Sequence, residues 1–200
     1  MLRQIWQVFR QRHPSGLRAF ALLAVFVGVI LLAGASLVVA GAAGLAWTST
    51  EQFCIGCHEM RNNVYAEYKG TIHDTNRSGV RAICTNCHVP HEPVDLLKRK
   101  AAATFEVIGH LRGVIDTKEK FEAKRAELAH HVWKRMKETD SHECRNCHHF
   151  EKMDPDKQSD VAKAKHASAR QQGKTCIDCH YGIAHKEPEG PGPAELFAQK

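Results

Sequence analysis

Cys54-Ile55-Gly56-Cys57-His58, Cys84-Thr85-Asn86-Cys87-His88, Cys144-Arg145-Asn146-Cys147-His148 and Cys176-Ile177-Asp178-Cys179-His180 repeat one pattern, and together they use all 8 cysteines of the 200-residue chain. Composition alone gives C-x-x-C-H at a chosen position with a probability on the order of 10⁻⁴, so four copies are no accident. Two thiols at this spacing can form thioethers with the vinyl groups of one haem, and a histidine directly after them reaches the iron from one face. Zinc knuckles also pair C-x-x-C, but zinc requires no histidine after every second cysteine. A disulfide scaffold requires none either. The pattern predicts four covalently bound haem c groups, attached at Cys54, Cys57, Cys84, Cys87, Cys144, Cys147, Cys176 and Cys179, with His58, His88, His148 and His180 on the irons.

Each iron has a second axial position, and its occupant decides between electron transfer and substrate binding. The cysteines and histidines form an internal duplication: two haem motifs with His73 and His91 in the first half, two with His166 and His185 in the second. These four recurring histidines are the candidates for distal ligands. His13, His110, His130, His131, His142 and His149 lack a repeat partner and read as solvent-facing or supporting residues. Irons closed by two imidazoles favour outer-sphere transfer, so the body reads as an electron wire. The first site departs from the others because Met60 follows His58 closely. Either His58 or Met60 could reach that iron, and packing of a flexible apolar side chain is a further reading of Met60.

Outward from the motifs, residues 19–47 carry no charge and exceed the roughly 20 apolar residues that cross a bilayer. A signal peptide's apolar region is shorter, about 7–15 residues, so this stretch predicts a retained transmembrane helix. Of the 28 Lys and Arg, four (Arg3, Arg10, Arg12 and Arg18) are the only charges before Glu51. By the positive-inside rule they place the N-terminus in the cytoplasm and the haem domain in the periplasm, on a single-pass inner-membrane anchor. The remaining 24 basic residues nearly balance 22 acidic ones, which gives no support to a nucleic-acid role. A mean hydropathy of -0.39 despite the apolar run makes the rest strongly hydrophilic, which suits an interior filled by cofactor.

The expected organisation is a basic head (1–18), the anchor (19–47), a compact all-α tetrahaem domain (48–185) and a flexible tail (186–200). The domain divides into halves at about 48–95 and 140–185 around a helical insert, 96–139. Within the insert, Asp116 and Glu119 suggest a helix cap. Phe121, Leu128, Val132 and Met136 then recur at helical spacing, and residues 96–115 suggest a second helix. Pro188, Gly190, Pro191, Gly192 and Pro193 suggest an irregular, solvated tail.

The motifs CIGCHEM (54–60), NRSGVRAIC (76–84) leading to CHVPHE (87–92), GVIDTKEKFEAKR (113–125), ECRNCH (143–148) and TCIDCHYGIAH (175–185) resemble the NapC/NirT family of membrane-anchored tetrahaem cytochromes. The resemblance covers roughly residues 19–185. It implies oxidation of membrane quinol, menaquinol or ubiquinol, and delivery of electrons to a periplasmic reductase. It is closest to the branch that serves the periplasmic nitrate reductase. Relatives serving trimethylamine-N-oxide or dimethylsulfoxide reductases usually add a fifth haem domain, and this sequence ends 20 residues after its last motif histidine, His180.

The related group serving cytochrome c nitrite reductase has the same C-x-x-C-H-x-M form with a methionine ligand, so the resemblance leans to Met60 while His58 stays open. The same group places a lysine and a carboxylate near the first haem, where quinol reacts. Lys100 and Glu106 fall at about the matching positions, with Asp95 and Lys98 as competitors and an ordinary solvated helix face as the plain reading.

Two other functions fit parts of the pattern. A five-coordinate first haem would suit an anchored terminal reductase of a small oxyanion, and a chain without a quinol site would be a passive carrier reduced by another membrane protein.

Overall fold

The computed structural model describes residues 14–198. The basic residues Arg3, Arg10 and Arg12, and His13, lie outside the described residues. The chain forms two units, Met1–Thr48 and Ser49–Lys200.

The described residues of the first unit form one helix, α1 (Pro14–Trp47). Its 34 residues rise about 50 Å, longer than the roughly 30 Å hydrocarbon core of a bilayer. Phe20, Leu23, Phe26, Ile30 and Val38 are exposed along it, as suits a helix whose solvent is lipid. The hydroxyl of Ser36 donates to the Leu32 carbonyl at 2.8 Å, so the polar side chain is satisfied within its own helix.

The second unit is helical, with no strand among the described residues. Its elements are α2 (Glu51–Cys54), α3 (His58–Asn62), α4 (Val64–Tyr68), α5 (Cys84–His88), α6 (Pro93–Leu111), α7 (Lys118–Glu138), α8 (His142–Arg145), α9 (Asp160–Gln171) and α10 (Pro193–Leu196), with three 3-10 turns, the last at Cys176–Asp178. Several of the helices are a single turn, because each is little more than part of a haem-binding motif.

α6 and α7 are the two long elements of the insert. Pro93 opens α6, where its missing N–H costs nothing. The cap of α7 falls one residue later than the sequence suggests: Thr117 Oγ1 accepts from Lys120 N at 3.3 Å. Asp116 instead pairs with Lys120 Nζ at 2.7 Å. α7 buries Phe121, Arg125, Trp133 and Met136. Trp133 and Met136 meet Ile177, with Tyr181, Leu196 and Phe197 packed around them.

The tail is not the solvated extension expected for 186–200. Pro193 is fully buried, and Leu196 and Phe197 pack on the Trp133 cluster. The prolines that exclude long regular structure here also open α10, and the apolar residues behind them supply the burial.

Candidate haem sites

Each motif is held by residues within it or close beside it. In the second, Asn86 Oδ1 accepts from Ile83 N at 2.8 Å and closes the turn around Cys84. In the third, Arg145 pairs with Asp140 at 2.9 Å. In the fourth, Ile177 enters the apolar cluster while Asp178 accepts from Thr175 N and from Lys137 Nζ at 2.7 Å. Burial pushes the Asp178 carboxyl up, but the hydrogen bonds from Lys137 and Thr175 outweigh it and hold the group below its ordinary value. In the first motif, a Cβ on Gly56 would stand 3.0 Å from the Phe53 carbonyl oxygen, so the tight turn suits glycine.

The attachment segments adjoin in chain order. Cys54 hydrogen-bonds Cys84, which lowers the Cys54 thiol to about 7 and raises that of Cys84. Cys144 and Cys176 form the equivalent contact, with Cys176 lowered to about 6. Between these pairs, α5 packs against α8. Once thioethers form no thiol titrates, and what persists is the adjacency of first to second, second to third and third to fourth segment.

The motif histidines each face another imidazole. Ring centroids lie 6.1 Å apart for His73 and His148, 6.1 Å for His88 and His185, 6.0 Å for His166 and His180, and 6.2 Å for His58 and His110. Two imidazoles on one metal, each bonded at about 2.0–2.1 Å, put their ring centres about 6.3 Å apart. The rings at the second, third and fourth motifs therefore fit haem irons closed on both faces, whereas at the first Glu59 Oε1 stands 3.5 Å from His58 Nε2 and 2.6 Å from His110 Nδ1. Burial chiefly lowers the basicity of His73, His88 and His185, His88 to about 3, so these rings are neutral, the form that binds a metal.

Two of the partner rings are held at Nδ1, whereas the Nδ1 of His73 is buried with no hydrogen-bond partner. His185 Nδ1 lies 3.1 Å from the Val64 carbonyl, and His166 Nδ1 lies 2.7 Å from Gln158 Oε1. Such contacts fix the ring and leave Nε2 for a metal. The segment carrying His185 is itself clamped: Arg125 donates to both oxygens of Glu67, at 2.6 and 3.0 Å, and to the Lys186 carbonyl at 3.2 Å. Lys186 N in turn donates to Glu67 Oε2 at 3.0 Å.

Not every expected residue joins this pattern. His91 is exposed, near Glu92, and Met60 is 37% exposed. His110, read from sequence as supporting or solvent-facing, faces His58 instead. Its place in the insert, with no counterpart in the duplication, hid it. Lys100 and Glu106 are not brought together: Lys100 lies near Cys54, whereas Glu106 pairs with Arg99 at 2.9 Å. Burial lowers the Lys100 ammonium below its ordinary value. Asp95 and Lys98 pair with each other at 2.9 Å on the exposed face of α6.

The NapC/NirT cytochrome c family, N-terminal region, matches residues 17–190. The chain belongs to this family. It is 49% identical over 189 residues to the cytochrome c-type protein NapC of Escherichia coli (strain K12), covering 94% of this chain and 92% of that one. It is 47% identical over 182 residues to the denitrification system component NirT of Stutzerimonas stutzeri, covering 90% and 88%. The cytochrome c-type protein TorC of Escherichia coli (strain K12) is 43% identical over 192 residues, which are 94% of this chain but 47% of TorC. No solved structure matches. The protein is a membrane-anchored, all-helical multihaem cytochrome that carries covalently bound haem c and transfers electrons.

Proposed function

We propose that the protein oxidises membrane quinol, menaquinol or ubiquinol, and passes the electrons to a periplasmic reductase, the nitrate reductase before others. The observation that carries the reading is the unbroken adjacency of the four attachment segments, which makes one conducting line from the segment nearest the anchor in sequence to the last. The bound haems supply one-electron redox chemistry. His88 with His185, His148 with His73 and His180 with His166 would hold the irons of the second, third and fourth haems. Their facing rings support this assignment. The N-terminus lies in the cytoplasm and the haem domain in the periplasm, a topology supported by the arginines before the apolar stretch of α1.

Quinol must approach the first site from lipid, and exposed Val94, Leu97 and Phe105 on α6 give an apolar surface beside Lys100. Lys100 hydrogen-bonds a quinol oxygen, while Glu106, held by Arg99, has the weaker claim to take the proton. The nitrate reductase is favoured by similarity to proteins named NapC, against the nearly equal similarity to NirT. Protein in lipid nanodiscs is mixed with a quinol analogue and the haem absorption followed. Lys100→Met should slow reduction by quinol about tenfold or more, about 1.4 kcal/mol of barrier, and leave reduction by dithionite unchanged. Equal quinol rates would remove Lys100, and no quinol oxidation by the wild type would leave a passive carrier. Loss of nitrate-dependent growth in a deletion strain tests the partner.

A further inference from the structure

The polarity of α6 is inverted for a helix in water. Val94, Leu97, Ala101, Phe105 and Leu111 recur at the spacing of one helical face, and all of them are exposed. Phe105 and Leu111 keep 76% and 77% of their surface open. The Arg99 side chain, on the other face, keeps 15% and donates to the His88 carbonyl at 3.3 Å. His110 on that inner face meets Glu59 at 2.6 Å, and Lys100 lies near Cys54. α7 does the reverse and buries Phe121, Trp133 and Met136. A helix that directs charges inward and a continuous apolar face outward presents that face to something other than water.

Lipid is the occupant that the chain itself brings within reach. α1 ends at Trp47 and α2 begins at Glu51, so the link from the span to the second unit reaches no more than about 14 Å. Lys100 lies near Cys54, the last residue of α2, so α6 passes beside the segment that follows the span in sequence. Charge agrees with a headgroup surface: Lys98, paired with Asp95 at 2.9 Å, flanks the apolar face and Arg112 follows its end. Such side chains lay their stems on apolar surface and hold their cations at lipid phosphates. Asp95, Lys98, Arg99, Lys100 and Glu106 exclude a second span, so a lipid-bound α6 lies in the plane of the interface. We propose that α6 is a second membrane contact, with Val94, Leu97, Ala101, Phe105 and Leu111 at the acyl boundary and Lys98 and Arg112 at the phosphates. The inference rests on the anchor and not on quinol oxidation, so either reading can fail alone.

The test uses the full-length holoprotein in nanodiscs of phosphatidylcholine and phosphatidylglycerol, with part of the lipid carrying a diazirine on its acyl chain. On illumination, crosslinks mapped by mass spectrometry should fall on peptides of α6 as well as α1, and not on those of α9. With the native cysteines held in thioethers, one introduced cysteine is the free thiol. Leu97→Cys and Phe105→Cys should keep four haems by pyridine haemochrome. They should react with a charged, membrane-impermeant maleimide about tenfold or more slowly than Val161→Cys, whose site on α9 is 71% exposed. Rates equal to that of Val161→Cys would overturn the inference by placing the face in water. Slow reaction without acyl-chain crosslinks on α6 would overturn it by showing that a haem or a second copy of the chain covers the face. The crosslinking needs no substitution, so it decides alone where a variant fails to mature.

Discussion

Arg125→Met removes the clamp on the segment that carries His185. Arg125 is 7% exposed and donates to both oxygens of Glu67 and to the Lys186 carbonyl. Its two bonds to Glu122 count for less, because that carboxylate is 37% exposed and water replaces part of what is lost. Breaking a buried pair by removing one partner costs about 3–5 kcal/mol. Glu67 keeps 23% exposure and the Lys186 N–H, so a cost around the bottom of that range, about 2–4 kcal/mol, is expected. For a chain of this size that lowers Tm by about 4–16 °C. Thermal unfolding followed by circular dichroism in the Soret region measures it, and carbon monoxide binding reports whether the second haem has lost His185 below the transition. Arg125→Lys keeps the charge but not the fork, and should fall between. An Arg125→Met protein that melts with the wild type and stays closed to carbon monoxide would refute the clamp.

Lys137→Met leaves Asp178 buried without its cation and should cost about 3–5 kcal/mol, read as a lower Tm and a lower yield of protein with four haems. Ser141→Ala removes the hydroxyl that accepts from Ile177 N at 3.1 Å, and an unsatisfied buried N–H costs about 1–3 kcal/mol in the same melting assay. The hydrogen bond from Arg125 holds the Glu122 carboxyl below its ordinary value. A depressed carboxyl stabilises above its unfolded pKa, so this contribution should be full above about pH 5 and fade as pH falls through the folded value. Glu122→Gln should flatten that acid-side slope of Tm against pH, and an unchanged slope would assign it to other groups.

The helical class, the anchor and the attachment cysteines were legible because each rests on a local pattern: a long uncharged run, or thiols and histidine in one turn of chain. The facing of imidazoles was legible only in part, since His91, marked by the same spacing, is exposed. Spacing marks His73, His166 and His185 but not which motif histidine each faces, since that depends on how separated segments meet. His110 was not marked at all, because its signal is a contact with Glu59, far away in sequence. The tail misled for a related reason: its prolines and glycines speak of local backbone, whereas its burial comes from Leu196 and Phe197 finding Trp133.

The pairs also change what the duplication means. His73 belongs to the first half in sequence but faces the third motif, and His185 belongs to the second half but faces the second motif. With these facing rings as iron ligands, as proposed above, each half would complete a site in the other. The insert adds the Arg125 clamp on the segment that carries His185, so α7 does more than link the halves. On that reading a half expressed alone would lack ligands as well as core, and the repeat in the sequence would not mark two separable domains. The same exchange would tie the second and third sites together across the middle of the proposed line, where a break would stop transfer from one half to the other.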